Sequence, residues 1–266
     1  MGTSINYLGS PNWSPAKSET TRVGGQGHVT PQKAASIVKS FVDQMQQASQ
    51  LGFGTPLSSQ RDGSSVVSRD GKGRHRGGVR GTHRPGGSAR TVARRIGGFL
   101  GDVHAKGFRN VLSELGFTDI TNKSPDEIAF ALADFFGGPA SLIEQTALRG
   151  ALMELVLEWS EGVQEIEGLI ESVTNAAENI EDTLYTFFGH YIFEVFKTVG
   201  YQGVLATHGF EKAESMVNQI RDFINAKIAG IKAERELSSV NWNGIDGAAI
   251  VDGIVADTVA IFGEKE

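Results

Sequence analysis

Gly2 is the residue of this 266-residue sequence best suited to covalent chemistry. It follows Met1, and a small second residue is what a methionine aminopeptidase requires, so the expected mature chain begins with a free glycine amine. Such an amine titrates at about 7.7–8.0, against about 10.4 for a lysine side chain. At pH near 7.5 about a third of it is neutral and nucleophilic, compared with about one lysine in a thousand. Without a Cβ, glycine also lets another active site approach closely. Thr3 and Ser4 behind it are small. Tyr7 and Trp13 are large apolar groups in a stretch with little means of burying them alone. These four are the candidate contacts for a partner that grips the tail. The competing reading is an idle terminus, since chain ends are commonly disordered. Asn6 stands where a myristoylation pattern needs Ser or Thr. No apolar run near the start suits a secretion signal.

A second chemistry is electrostatic. Between 55 and 87 arginines and glycines alternate without an aromatic residue. Arg74, Arg76, Arg80 and Arg84 are the candidates for contact with nucleic-acid phosphates, which would be strongly salt-dependent. Lacking aromatics, the stretch has no stacking platform for bases. The plainer alternative is a flexible basic tether, because such a composition cannot offset its own ordering entropy.

Enzymatic signatures are missing. Gly71-Lys72-Gly73 has neither the spacing nor the Ser/Thr of a phosphate loop. His28, His75, His83, His104, His190 and His208 are scattered, and no His-Glu-x-x-His occurs. Glu167 and Glu171 share a helical face and could reach a metal, although a solvated face suits them better. The expectation is a protein that is not an enzyme and has no resident metal or cofactor. Zero cysteines excludes disulfides, thiolate zinc sites and a thiol nucleophile, and fits a cytoplasmic setting. No stretch is apolar enough for a membrane span. The net charge of −6 conceals an asymmetry. Residues 1–112 carry 16 Lys+Arg against 5 Asp+Glu, and residues 113–266 carry 9 against 26.

The elements that must carry these groups are helices. Residues 1–30 read as an extended tail, since Pro11, Pro15 and the glycines oppose a helix at its start. From Gly2 to Pro31 is 29 residue steps. Those span at most roughly 95–105 Å extended, or about 27–32 Å as a coil. Thr30-Pro31 opens a helix over 31–54, with Ala34, Val38, Phe41, Val42 and Met45 on one stripe. After the linker at 55–87, a helical domain occupies 88–237. Its first helix, the second of the chain, begins at Ser88 and contains Gly97, Gly98, Gly101 and Gly107, which require either very close packing or a break. Ser124-Pro125-Asp126-Glu127 is a capping box. Further helices are expected over about 163–173, 177–199 and 210–237. A C-terminal helical extension, 238–266, completes the chain. The fold class is all-α: a helical bundle with an extended tail and a flexible Gly/Arg-rich linker.

Met1–Ser4, the Pro11 to Pro15 region, Gly86-Gly87-Ser88-Ala89-Arg90 with Arg94-Arg95, and the run Phe136 to Gln145 occur in an order that resembles the QatB proteins of the bacterial Qat antiphage systems. The likeness covers the start and about residues 86–236. The chain departs from the pattern in its short first spacer, its helix at 31–51 and its extension after Leu237. The resemblance implies a protein substrate rather than a catalyst. A partner resembling the 7-cyano-7-deazaguanine synthase QueC would join a 7-deazaguanine carboxylate to the Gly2 amine. An ATPase and a TatD-like nuclease are the other implied partners.

Overall fold

The molecule is built around one long helix, α8 (Ile180–His208). From Ile180 through Phe187, Phe188 and Phe193 to Phe196 it is buried on nearly all sides, and beyond that one face stays covered at Val199, Gly200 and Val204. A helix apolar all round needs neighbours all round. α6 (Ile143–Ser160), α9 (Phe210–Ala229) and α1 (Ser14–Gly24) provide the most extensive of these contacts. α2 (Pro31–Gln50), α3 (Gly87–Lys106), α7 (Ile166–Glu178) and α10 (Ile245–Gly263) complete the jacket. α4 (Phe108–Glu114) leans on α3 and α7, and α5 (Pro125–Gly137) on α6 and α3. This computed structural model describes residues 12–26, 28–50, 87–117, 123–137, 143–231, 237, 239–242 and 244–263. Among them are ten helices and no strand, and no helix long and apolar enough to cross a membrane.

The local signals explain most boundaries. Thr30 caps α2, its hydroxyl accepting from the Lys33 amide at 3.4 Å. Ala34, Ile37, Val38, Phe41 and Val42 form the helix's buried stripe. At α5 the capping box closes in both directions. The Glu127 amide donates to the Ser124 hydroxyl at 3.2 Å, and the Ser124 amide donates to the Glu127 carboxylate at 2.8 Å. The Ser124 amide foremost, and the Ser124 hydroxyl after it, hold the Glu127 carboxyl below its ordinary range. A lowered folded-state pKa adds stability above the unfolded pKa and loses it as pH falls through the folded one. Ser124→Ala should cost about 1 kcal/mol at neutral pH, the usual worth of such a cap. The gap to wild type should narrow in acid, which urea melts at pH 7 and pH 3 would read.

Three expectations need correction. The span read as an extended tail contains α1. Pro15 does not oppose that helix but sits in its first turn, where no amide hydrogen is needed. Asn12 Oδ1 accepts from the Ser14 amide at 3.2 Å, and Ala16, Thr20, Val23 and Gly24 form the buried stripe. Secondly, α8 does not stop at 199. It continues through Gly200 and Gly203 because both face other helices: a Cβ at Gly200 would lie 3.2 Å from Phe41 and from Thr20, and one at Gly203 would lie 3.0 Å from Thr21. Thirdly, α9 ends at Ala229 rather than 237.

The glycines of the second long segment do both things open to them. Gly107 adopts φ +82° and breaks α3 from α4. Gly97 instead accepts a close neighbour, the indole of Trp242. Arg90 on α3 also reaches Asp252 on α10 at 2.6 Å. The extension after 237 is thus part of the common core, with Trp242, Val251, Ile254 and Phe262 all buried. The linker at 55–87 lies outside the described residues, apart from Gly87 at the start of α3.

Candidate functional site

Of the residues singled out in the tail, Gly2, Thr3, Ser4 and Tyr7 lie outside the described residues, as do Arg74, Arg76, Arg80 and Arg84. Trp13 is described, and its position differs from that of an anchor held out to a partner. It caps α1, its carbonyl accepting from the Lys17 amide at 2.9 Å. Its half-buried ring lies 5.8 Å from Phe41 between centroids, and Phe41 meets Phe196 edge-on at 5.7 Å. The tryptophan fastens α1 to α2 and α8. The available sequence signal is its place directly ahead of Ser14-Pro15, where a large apolar group steadies the entry to a helix.

Beyond Trp13, α1 and the turn after it lie in a close-fitting seat. A Cβ on Gly24 would come within 2.7 Å of Val204, and one on Gly25 within 2.7 Å of the His208 ring. His208 Nε2 lies 2.7 Å from the Thr21 carbonyl, a bond in which that nitrogen donates. Lys212 Nζ donates to the Gly25 carbonyl at 3.2 Å, and the Val29 amide donates to Gln219 at 2.7 Å. Buried Thr20 is satisfied inside its own helix by the Ala16 carbonyl at 2.7 Å. Gly200→Val should force α1 outward at a cost of about 1–3 kcal/mol, the range for overfilling a packed contact. Faster tryptic cleavage at Lys17 and Arg22 would report it.

Beside this seat runs an open groove of about 530 Å³, lined by Lys17, Ser18, Thr21, Arg22, Thr207 and His208. Arg22 is paired with Glu19 at 2.7 Å. That guanidinium holds the Glu19 carboxyl below its ordinary range, with the Ser36 hydroxyl donating to it at 3.1 Å. The lining offers hydroxyls and cations, which suits holding a chain. Because α1 is seated, the lead from Gly2 is shorter than a 29-residue tail. Ten residue steps separate Gly2 from Asn12, spanning at most roughly 33–36 Å.

The buried polar groups elsewhere tie helices together. Glu194, on α8, fits where Gly150 leaves room: a Cβ there would stand 2.5 Å from its carboxylate. Lys197 pairs with Glu194. Arg221 lies over the Phe193 ring at 4.6 Å and 3.4 Å from Glu154. His190 Nε2 approaches Glu158 at 2.9 Å. The Tyr185 hydroxyl donates to Asp257 at 3.1 Å, joining α8 to α10. Glu167 is taken up by Arg109 at 2.7 Å. Among the described residues no three His, Asp or Glu side chains gather as a metal site.

A family model described as "Qat anti-phage system associated protein QatB" matches residues 77–262. The matched region runs from inside the arginine-rich stretch through α3 to α10, and Gly2 and α1 lie ahead of it. No curated protein and no solved structure matches the chain.

Proposed function

Since the chain belongs to the QatB family of the Qat anti-phage system, we propose that it is the system's protein substrate, conjugated through its Gly2 amine to a 7-deazaguanine by a QueC-like partner. In that reaction the neutral amine attacks the carboxyl carbon of the deazaguanine after ATP has activated it. A C–N amide bond forms, the activating group leaves with the electron pair of its C–O bond, and the amine gives up a proton. The protein contributes no catalytic group to these steps. Its part is to supply an unhindered α-amine, a class of amine that titrates below a lysine side chain, and to hold the root of the tail still.

The observation that supports this reading most is the seating of α1. A nucleophile on a short lead from a fixed point searches a small volume, so docking the helical body brings the amine near the partner's cleft. Thr3 and Ser4 suit a narrow entrance, and Tyr7 remains the candidate grip, Trp13 being engaged with Phe41. The ATPase and the TatD-like nuclease are the further partners on this reading, and the setting is the cytoplasm.

Peptide mass spectrometry tests it. Protein made with and without its neighbouring genes is digested with trypsin, and the N-terminal peptide ending at Lys17 is weighed. The expected result is a peptide starting at Gly2 that gains one deazaguanine acyl group only when the QueC-like protein is present. A bare Gly2 amine beside a partner shown to be active would overturn the assignment.

A further inference from the structure

The α5–α6 hairpin carries large apolar groups on two faces. Its inner face is the buried set Ile128, Leu132, Phe136, Leu148, Leu152 and Leu155. Its outer face is charged but carries large apolar groups as well. Five large apolar side chains stand exposed among the described residues, and three are here: Phe130 at 48%, Phe135 at 44% and Leu157 at 39%. Such clustering on one edge is unlike the scattered apolar residues of an ordinary surface.

The register of the hairpin brings Phe130 and Leu157 into one strip, with Phe135 farther round α5. Asp134 of α5 and Arg149 of α6 pair at 2.5 Å. The two helices are joined by a short connection and run antiparallel. Counting one turn along each helix from that ion pair sets Phe130 beside half-buried Met153. One turn further, Asp126 stands level with Leu157. The strip thus runs from an ion pair through Phe130 and Met153 to Leu157, and ends in carboxylates. Asp126 and Glu161 there are exposed, and no ion pair engages either among the described residues. Arg149 is already neutralised by Asp134.

We infer that this outer face docks a basic amphipathic helix of a partner protein, its apolar stripe on Phe130 and Leu157 and its Lys or Arg side chains beside Asp126 and Glu161. Other occupants fit less well. A second copy would bring the same two unpaired carboxylates to the face and, to meet them, only an Arg149 already held by Asp134. The chain's own arginine-rich stretch has the right charge, but from Arg61 to Gly87 its only apolar side chains are Val66, Val67 and Val79. The inference is independent of Gly2 and is tested apart from it.

The probe is a fluorescent Leu/Lys peptide with leucines on one helical stripe, titrated with the full chain by anisotropy. Its controls are a scrambled peptide of equal composition and a Leu/Glu analogue. Wild type should bind the striped Lys peptide at least about ten-fold more tightly than Phe130→Ser/Leu157→Ser protein, as central apolar anchors do. Asp126→Asn/Glu161→Gln should lose about three-fold, a difference that shrinks in high salt. Equal affinity in both double variants, or tighter binding of the Leu/Glu analogue, overturns the proposal. So does wild-type dimerisation in sedimentation that the double-serine variant abolishes, which would hand the face to a second copy. In cells carrying the neighbouring genes, the double-serine variant should keep its N-terminal mass unchanged from wild type and lose phage protection. Retained protection overturns the proposal without touching the Gly2 reading.

Discussion

Gly2→Glu protein made beside its neighbouring genes is expected to retain Met1, carry no adduct and give the host no protection. A large second residue blocks removal of the initiator, so the terminal amine moves one residue outward and belongs to a bulky methionine. The effect on conjugation should be complete. Gly2→Ala separates the two causes of loss. Alanine still permits clipping and leaves a primary amine, so some adduct should remain, reduced by the Cβ at the attacking centre. Both variants should melt with wild type, since the described core is built from Ala16 onward and the substitutions change none of it. Conjugation rate should fall about ten-fold per pH unit below about 7.7, as the amine protonates. An intact adduct on Met1-retaining protein would defeat the assignment.

The largest stability effect should come from Gly97. A Cβ there would lie 2.5–2.6 Å from three atoms of the Trp242 ring, which no real contact tolerates. The ring has nowhere to go. Its residue is 3% exposed, and Gly247 already lies so close beneath that its own Cβ would meet the Trp242 backbone at 2.5 Å. Gly97→Val must therefore separate α3 from the segment leading into α10, at about 3 kcal/mol or more. Trp242→Ala alone should cost about 3–5 kcal/mol through the cavity it leaves. Combining the two should cost clearly less than their sum, since the valine then fills part of the space. Urea unfolding of the four proteins measures this cycle. A Gly97→Val midpoint matching wild type would contradict so tight a contact.

Much of this fold is legible in the sequence because its signals are local. Ser124 and Glu127 sit three residues apart and bond each other. Thr30-Pro31 announces α2 in the same way. The failures come where a residue's meaning depends on something distant. Pro15 breaks a helix that approaches it and starts one that leaves it, and only the buried stripe from Ala16 to Gly24 decides between them. Gly200 and Gly203 resemble a helix end until α1 and Phe41 are placed against them. Trp13 reads as unburied for the same reason, its partner being Phe41 on another helix. At the candidate site, the chemistry of Gly2 comes from residue type alone. The seat that holds its root does not, since no pattern within α1 points to α8. The apolar strip on α5 and α6 leaves a trace in the sequence, since Phe130 falls on the helix face of Asp126 and Asp134 and Leu157 falls opposite Leu148, but only the fold shows that nothing covers them.

The seat of α1 also has a timetable. Thr21 and His208, which meet in it, are 187 residues apart. At about 5–20 residues per second, a ribosome takes roughly ten to forty seconds to make the second after the first. Through that interval α1 has α2 but lacks α8, its larger platform, and a helix of 11 residues does not hold together by itself in water. A processing enzyme waiting at the ribosomal exit meets the first residues as unstructured chain and can remove Met1 without opposition. A partner that recognises the seated helix finds nothing to recognise until α8 has been made and folded. Under the proposed function, clipping and conjugation would be ordered by synthesis itself, the amine being exposed first and presented second.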